Sequence, residues 1–340
     1  MAATPPLATS LLAAKARGGD PARCGFELSR HILLGVREAR ANRPDLVLKY
    51  GGYLLQNHVS SLSHEVWAAY EQVCVSLLQH SRYSERRAPP DSGTESEEIR
   101  AAQEYIAALS ARFSGSQRVK RLEAMMWEAK GEHDLAMADY DEILEEEPQN
   151  IQAIRRQVAI CRSRGRYSEA AKRLIDYLQT FCADTEAWLT LAELYLLAQQ
   201  YKRAAFCMEE LILINPMNYI YHIRAGEICY TLGTAAHGGS HDQLLTARKY
   251  FAHTLELKPE ANLRALYGML LACTAMGNST KGKGTKVDVQ DVLGYVSAQL
   301  TKCYTPAAGP PHPMRAIVMA MVKKIASSTT AEKAPLAQGA

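Results

Sequence analysis

Three stretches and one scattered set of cysteines in this 340-residue sequence hold residue types that could do chemistry. "GNSTKGKGT" (277–285) sets Gly277, Gly282 and Lys283 at the spacing of a phosphate-cradling loop. Such a loop needs Ser or Thr directly after the lysine to hold magnesium, and Gly284 stands there. It also needs a preceding strand, whereas 263–276 has a helical period, so a solvated basic linker is expected. "HGGSH" places His237 and His241 four apart, but the glycines between them oppose a helix and no third metal ligand follows. Eight cysteines (24, 74, 161, 182, 207, 229, 273, 303) include no C-x-x-C pair. They are expected as small buried hydrophobes in a reducing compartment, neither zinc ligands nor disulfides. The third stretch, "YKRAAFCMEELILINPMN" (201–218), combines Cys207 with Glu209, Glu210, Lys202 and Arg203. Whether it is a site depends on whether its features recur.

They do recur, at a fixed interval. Trp188, Leu191, Ala192, Tyr195, Ala204, Met208 and Pro216 fall on the tetratricopeptide pattern W-x2-L-G-x2-Y…A-x3-F…P, with two conservative replacements. Ser116, Asn150, Asp184 and Asn218 are each 34 residues apart, and all four are good helix N-caps. The same step links Gly131, Gly165, Gln199 and Gly233, where a left-handed residue would close the first helix of each pair. Ala136, Ala170 and Ala204 keep the interval too, as small residues that let paired helices approach. Pro148 and Pro216 end second helices, with Cys182 in the proline position between them. Past an insertion the frame resumes at Ala247, Phe251 and Pro259. The third stretch is therefore scaffold, with Cys207 a packing residue and Glu209 and Glu210 on its polar side.

These spacings predict an all-α tetratricopeptide-repeat superhelical solenoid with N-terminal helices and C-terminal capping helices. The first 30 residues are rich in Ala and Arg and poor in acids, and residues 1–20 are expected as a disordered leader rather than a transit peptide. Helices are expected over 21–63 and the repeat array over 64–277, as units 64–116, 117–150, 151–184, 185–218 and 219–261 and a degenerate sixth. Polar insertions fall near 81–95 and 234–243. A flexible basic loop (278–286), capping helices (287–328) and a disordered tail (329–340) complete the expectation.

Function classes narrow accordingly. A net charge of +3 is too small to argue for nucleic acid, and no segment offers the roughly 20 apolar residues of a membrane span. The basic cluster Arg155, Arg156, Arg162, Arg164, Arg166 lacks interleaved aromatics and is expected as solvated surface. No G-x-S-x-G, H-E-x-x-H or dinucleotide fingerprint occurs, so no catalytic residue, cofactor or metal is expected. First helices of such arrays line a concave groove that takes partner peptides. The groove positions are Arg118, Arg121 and Glu128; Arg155 and Arg162; Leu189, Glu193, Leu196 and Leu197; and Ile220, Ile223, Glu227 and Tyr230. The groove thus changes from basic to apolar along the chain. Met125, Arg156, Glu186 and Thr190 stand where co-chaperones of this class clamp an acidic tail, so that clamp is absent in this frame.

Beyond the general repeat, "SGSQRVKRLEAM" (114–125), "YDEILEEEPQN" (140–150), "DTEAWLTLAELYL" (184–196) and "YKRAAFCMEELILINPMN" (201–218) resemble the subunit 2 family of the endoplasmic reticulum (ER) membrane protein complex. "HEVWAAYEQVCV" (64–75) and "RKYFAHTLELKPEANLRALYGM" (248–269) do so as well, and "VREARANRPDLVLKYGGYLL" (36–55) more loosely. The loops at 81–95 and 234–243 look longer than the family's connections. The resemblance implies a peripheral subunit on the cytoplasmic face of the ER, held there by its partners. Those partners would be cytosolic ends of transmembrane subunits and a second soluble subunit, in a complex that inserts tail-anchored and multipass membrane proteins. It also implies that the Arg-rich leader is helical. A free co-chaperone adaptor and an RNA-processing repeat protein stay open as alternatives.

Overall fold

The structure is a computed structural model that describes residues 7–85, 97–234, 240–260, 262–278, 289–304 and 313–331. The chain divides into two compact units, Met1–Arg164 and Gly165–Ala340. Among the described residues there is no strand, and the all-α repeat fold holds.

In the first unit, helices α1 (Leu7–Ala16) and α2 (Pro21–Glu38) precede α3 (Pro44–Leu46), a π-helical turn (Val47–Gly51) and α4 (Gly52–Asn57), which follow one another directly. After a 3-10 turn (Val59–Glu65) come α5 (Val66–Glu85), α6 (Glu97–Arg112), α7 (Gln117–Ala129), α8 (His133–Glu146) and α9 (Ile151–Ser163). The disordered leader is corrected for residues 7–16. Ala14 is buried with Cys24, Ile32 and Tyr50, and Leu7 and Leu11 pack against them. Gly35 of α2 makes the approach possible, since a Cβ there would lie 3.3 Å from Leu7 Cδ1. The sequence "LATSLLAAKA" is small and apolar almost throughout, so it lacks the polar face by which a surface helix is recognised. Residues 81–85, expected in a loop, continue α5, and residues 86–96 lie outside the described residues.

The second unit contains α10 (Tyr167–Thr180), α11 (Thr185–Leu197), α12 (Tyr201–Ile214), α13 (Tyr219–Gly233), α14 (His241–Leu257), α15 (Leu263–Asn278), α16 (Val289–Cys303) and α17 (Arg315–Ala331). Phe251 of α14 is its packing centre. A Cβ on Gly226 of α13 or Gly268 of α15 would come within 2.9 Å and 2.5 Å of that ring. Leu293, Val296 and Leu300 of α16 and Val318 and Val322 of α17 close the same core. His241 starts α14, so residues 241–243 are helical rather than inserted, while His237 lies outside the described residues. The basic loop at 279–286 and the tail from 332 also lie outside them, and residues 329–331, expected in the tail, continue α17.

The repeat signals are borne out locally. Ser116, Asn150, Asp184 and Asn218 all stand at N-caps. Asn150 Oδ1 accepts from the Ala153 amide at 3.2 Å, Asp184 Oδ1 from Glu186 at 3.0 Å, and Asn218 Oδ1 from Ile220 at 3.1 Å. Gly131, Gly165 and Gln199 are left-handed. Gly233 is not: it ends α13 in helical conformation, and its missing Cβ admits Leu244, whose Cγ would be 2.7 Å away. Ala136, Ala170, Ala204 and Ala247 are fully buried.

Candidate partner-binding surfaces

Within each unit the first helices of successive repeats are joined by ion pairs of one polarity. The acid lies on the earlier helix and the arginine on the later one. In the first unit Glu71 of α5 pairs with both Arg118 and Arg121 of α7, at 3.2 Å for Arg121. Glu128 of α7 pairs with Arg156 of α9 at 3.6 Å. In the second, Glu193 of α11 meets Arg224 of α13 at 3.8 Å, and Glu227 of α13 meets Arg264 of α15 at 2.5 Å. Arg264 is bidentate, with Nη2 donating to Glu227 Oε2 at 2.6 Å, and its guanidinium is raised above its ordinary value chiefly by that bond. Burial pushes the Arg121 guanidinium down, and the Glu71 charge opposes the shift.

This ladder decides the fate of the expected groove residues. Arg118, Arg121, Glu193 and Glu227 are engaged in it. Glu128 is corrected: it is 4% exposed and accepts a 2.6 Å hydrogen bond from the Tyr140 hydroxyl, so it offers no surface. Ile223 is corrected likewise, being 3% exposed in the core around Phe251. Tyr230 packs against the same core. Residues that do present surface are Arg118 of α7, exposed although ion-paired, Arg155 and Arg162 of α9, Leu197 (51% exposed) with the half-buried Leu189 and Leu196 of α11, and Ile220 of α13.

A second surface of the second unit escaped the sequence reading. Ile175 and Leu178 of α10, Trp188 and Tyr195 of α11, and Phe206 of α12 line a depression of about 620 Å³. Trp188 and Phe206 meet edge to face at 6.2 Å. The indole N–H donates to the Cys182 carbonyl at 2.8 Å, which fixes the ring and leaves its face free for apolar contact. Phe206 is 55% exposed. Lys202 and Arg203 stand on the rim, Arg203 lying 5.7 Å from the Tyr195 ring centre. Aromatic and arginine side chains around an apolar hollow are the composition of protein-contact hot spots. The signal was present in "KRAAF", but the repeat pattern assigns no role to Phe206.

The thiols sort by packing. Burial pushes Cys207 up to about 12 and Cys229 and Cys273 up to about 11, which makes them poor nucleophiles. Cys182 and Cys303 are exposed free thiols, against the expectation that all eight are buried. Among the described residues no group of three His, Cys, Asp or Glu could hold a metal ion.

Comparison with known proteins places this geometry. The family model described as "EMC2 TPR-like repeat domain" matches residues 113–242, which hold α7 through α13. The ER membrane protein complex subunit 2-A of Xenopus laevis is 35% identical over 269 residues, 79% of this chain and 83% of the relative. The chain belongs to the ER membrane protein complex subunit 2 family. A Dictyostelium discoideum member of that family is 28% identical over 257 residues, covering 72% of this chain and 73% of its own. Among solved structures, the C-terminal part of a TPR repeat-containing protein from Cytophaga hutchinsonii covers 75% of this chain and 93% of its own with a TM-score of 0.50. At 13% identity that likeness concerns the fold alone. Among the described residues no helix of this subunit 2 family member is long and apolar enough to cross a membrane.

Proposed function

We propose that this protein is a non-catalytic scaffold subunit of an ER membrane protein complex. It is held peripherally on the cytoplasmic face by the cytosolic ends of transmembrane subunits and by a second soluble subunit. There it braces the machinery for energy-independent insertion of tail-anchored and multipass membrane proteins. The observation that carries the reading is the exposed Trp188–Phe206 depression on a member of the subunit 2 family. A hollow with that much aromatic surface is stabilised when a partner excludes water from it. The apolar positions Leu189, Leu196, Leu197 and Ile220 and the basic positions Arg155 and Arg162 are further contact points in this reading. No nucleic acid or cofactor takes part.

The test is recovery of the tagged protein from a mild-detergent membrane extract, with mass spectrometry of what co-elutes. Near-equal amounts of several multipass ER proteins support the reading. Recovery from the soluble fraction with chaperones alone, or with RNA, overturns it. Phe206→Asp then asks whether the depression is a contact: the variant folds and loses at least one partner if it is.

A further inference from the structure

We propose that a basic cup in the first unit binds a carboxylate-rich segment of a partner polypeptide. Arg37 at the end of α2, Arg40 and Arg43 in the turn that follows, and Arg118 of α7 line one depression of about 410 Å³, with Glu71 as its acidic wall. Glu71 is shared with Arg121, so one carboxylate faces more than one guanidinium. Arg43 is paired with Asp45 at 3.0 Å. Arg37 is held differently: its Nη2 donates to the Ala68 carbonyl at 2.9 Å and to Gln72 Oε1 at 3.0 Å. Those neutral acceptors orient the guanidinium without cancelling its charge, which is the preorganisation an incoming carboxylate needs.

Arg40 carries the argument further. It is the left-handed residue (φ 47°) that stops α2, with Arg40 N–H donating to Arg37 O and Ala41 N–H donating to Val36 O, both at 3.1 Å. At the corresponding stop after α7 the chain uses a glycine, Gly131, which adopts this conformation without strain. An arginine there weakens the fold relative to glycine and gains nothing from packing, because the side chain is exposed. Attraction to the negative end of α2 suits Arg37 and Arg40. Arg43 and Arg118 reach the same hollow from two other elements, each ion-paired, with Asp45 and Glu71. That leaves Arg37 and Arg40 as the cations without a carboxylate in hydrogen-bond reach among the described residues.

The occupant follows from the lining. Among the described residues no aromatic side chain lines the cup, so they offer bases nothing to stack on. The floor is short aliphatic side chains such as Val36 and Val47 in a recess, a shape that a flat bilayer surface does not fill. An extended acidic peptide can enter it and present carboxylates to Arg37 and Arg40. The cup deepens the scaffold reading and rests on it, because the peptide belongs to a partner.

The experiment is fluorescence anisotropy on the purified full chain. The probe is a fluorescein-labelled eight-residue peptide of alternating Asp and Glu, amidated at its C-terminus, with its Asn/Gln counterpart as control. The expected result is binding of the acidic peptide only, weakening as NaCl rises. Arg40→Gly is expected to weaken binding about two- to fivefold, the range of one exposed charge pair. The same variant is expected to raise the melting temperature by about 1–3 °C as the strain is relieved. Arg40→Gly with Arg43→Gln weakens binding further. Unchanged binding in the double variant overturns the proposal. So does tighter arginine-dependent binding to phosphatidylserine vesicles or to a single-stranded RNA. Partner recovery from membranes is measured separately, so the cup can fail while the scaffold reading stands.

Discussion

The first-helix ladder and the Trp188 depression lie within reach of the same helix, α11, yet they answer to different physics. Along the ladder the charges are paired inside the chain: Glu193 with Arg224, Glu227 with Arg264. In the depression Leu178 and Tyr195 form a buried base and Trp188 is half-buried, while Ile175 and Phe206 are left open, Phe206 more than half exposed. A charge that already has a partner at 2.5 Å is poorly placed to recognise another molecule, whereas an uncovered ring still has its contact free energy to gain. Charge pattern along a repeat is thus the weaker guide to a binding face, and unpartnered apolar surface the stronger.

The contrast can be broken at several points. Glu128→Ala removes the acceptor of the buried Tyr140 hydroxyl and the partner of Arg156 together. It is expected to destabilise the first unit by about 3 kcal/mol, measured by the denaturant midpoint. If it costs almost nothing, the buried end of the ladder is not structural. Phe206→Asp sits at the other pole. Its folding stability is expected to stay within about 0.5 kcal/mol of the parent, while affinity for the partner covering the depression falls about thirtyfold. Gly268→Ala, which drives a Cβ into Phe251, is expected to cost about 1–3 kcal/mol by overpacking and to leave both surfaces intact. Glu227→Ala tests the exposed ladder and should cost only about 0.2–1 kcal/mol, less at high salt.

Acid provides the smallest test. Arg30 donates to both oxygens of Glu65 at 2.7 and 2.6 Å, and that pairing holds the Glu65 carboxyl below its ordinary value. A carboxyl lowered on folding adds stability above its unfolded value of about 4.3, and this is lost as pH falls through the folded value beneath it. Glu65→Gln should therefore lower stability at pH 7, where the pairing contributes in full, and flatten part of the acid limb below about pH 4.3, so that parent and variant converge in acid. An unchanged acid limb would mean that this pair does not couple α2 to the turn before α5.

Local signals were legible residue by residue. Asn150, Asp184 and Asn218 cap helices because a short side-chain oxygen reaches a free first-turn amide in any context. Ala204 and Phe251 were correctly placed in the packing frame because their spacing is set by the repeat period. Gly233 shows the limit. Its 34-residue register with Gly131 suggested a left-handed turn, yet the close approach of Leu244 decided its role. The α1 segment failed similarly, since it has no polar face and is ordered by packing on Gly35, Cys24, Ile32 and Tyr50. The family resemblance found in "YKRAAFCMEELILINPMN" held over most of the chain, but it carried no information on which of those side chains is uncovered.

Sequence alone determined the repeat, the caps, the helix pairs and the family, because each depends on residues close in the chain or on a fixed period. Tertiary structure alone decided that Glu128 and Ile223 are buried, that Glu71 occupies Arg118 and Arg121, and that Phe206 and Arg40 face solvent. Burial and charge pairing are set by side chains that meet only after folding, 28 residues apart for Glu128 and Arg156 and 47 for Glu71 and Arg118. No local spacing rule encodes whether two such groups come within reach of one another.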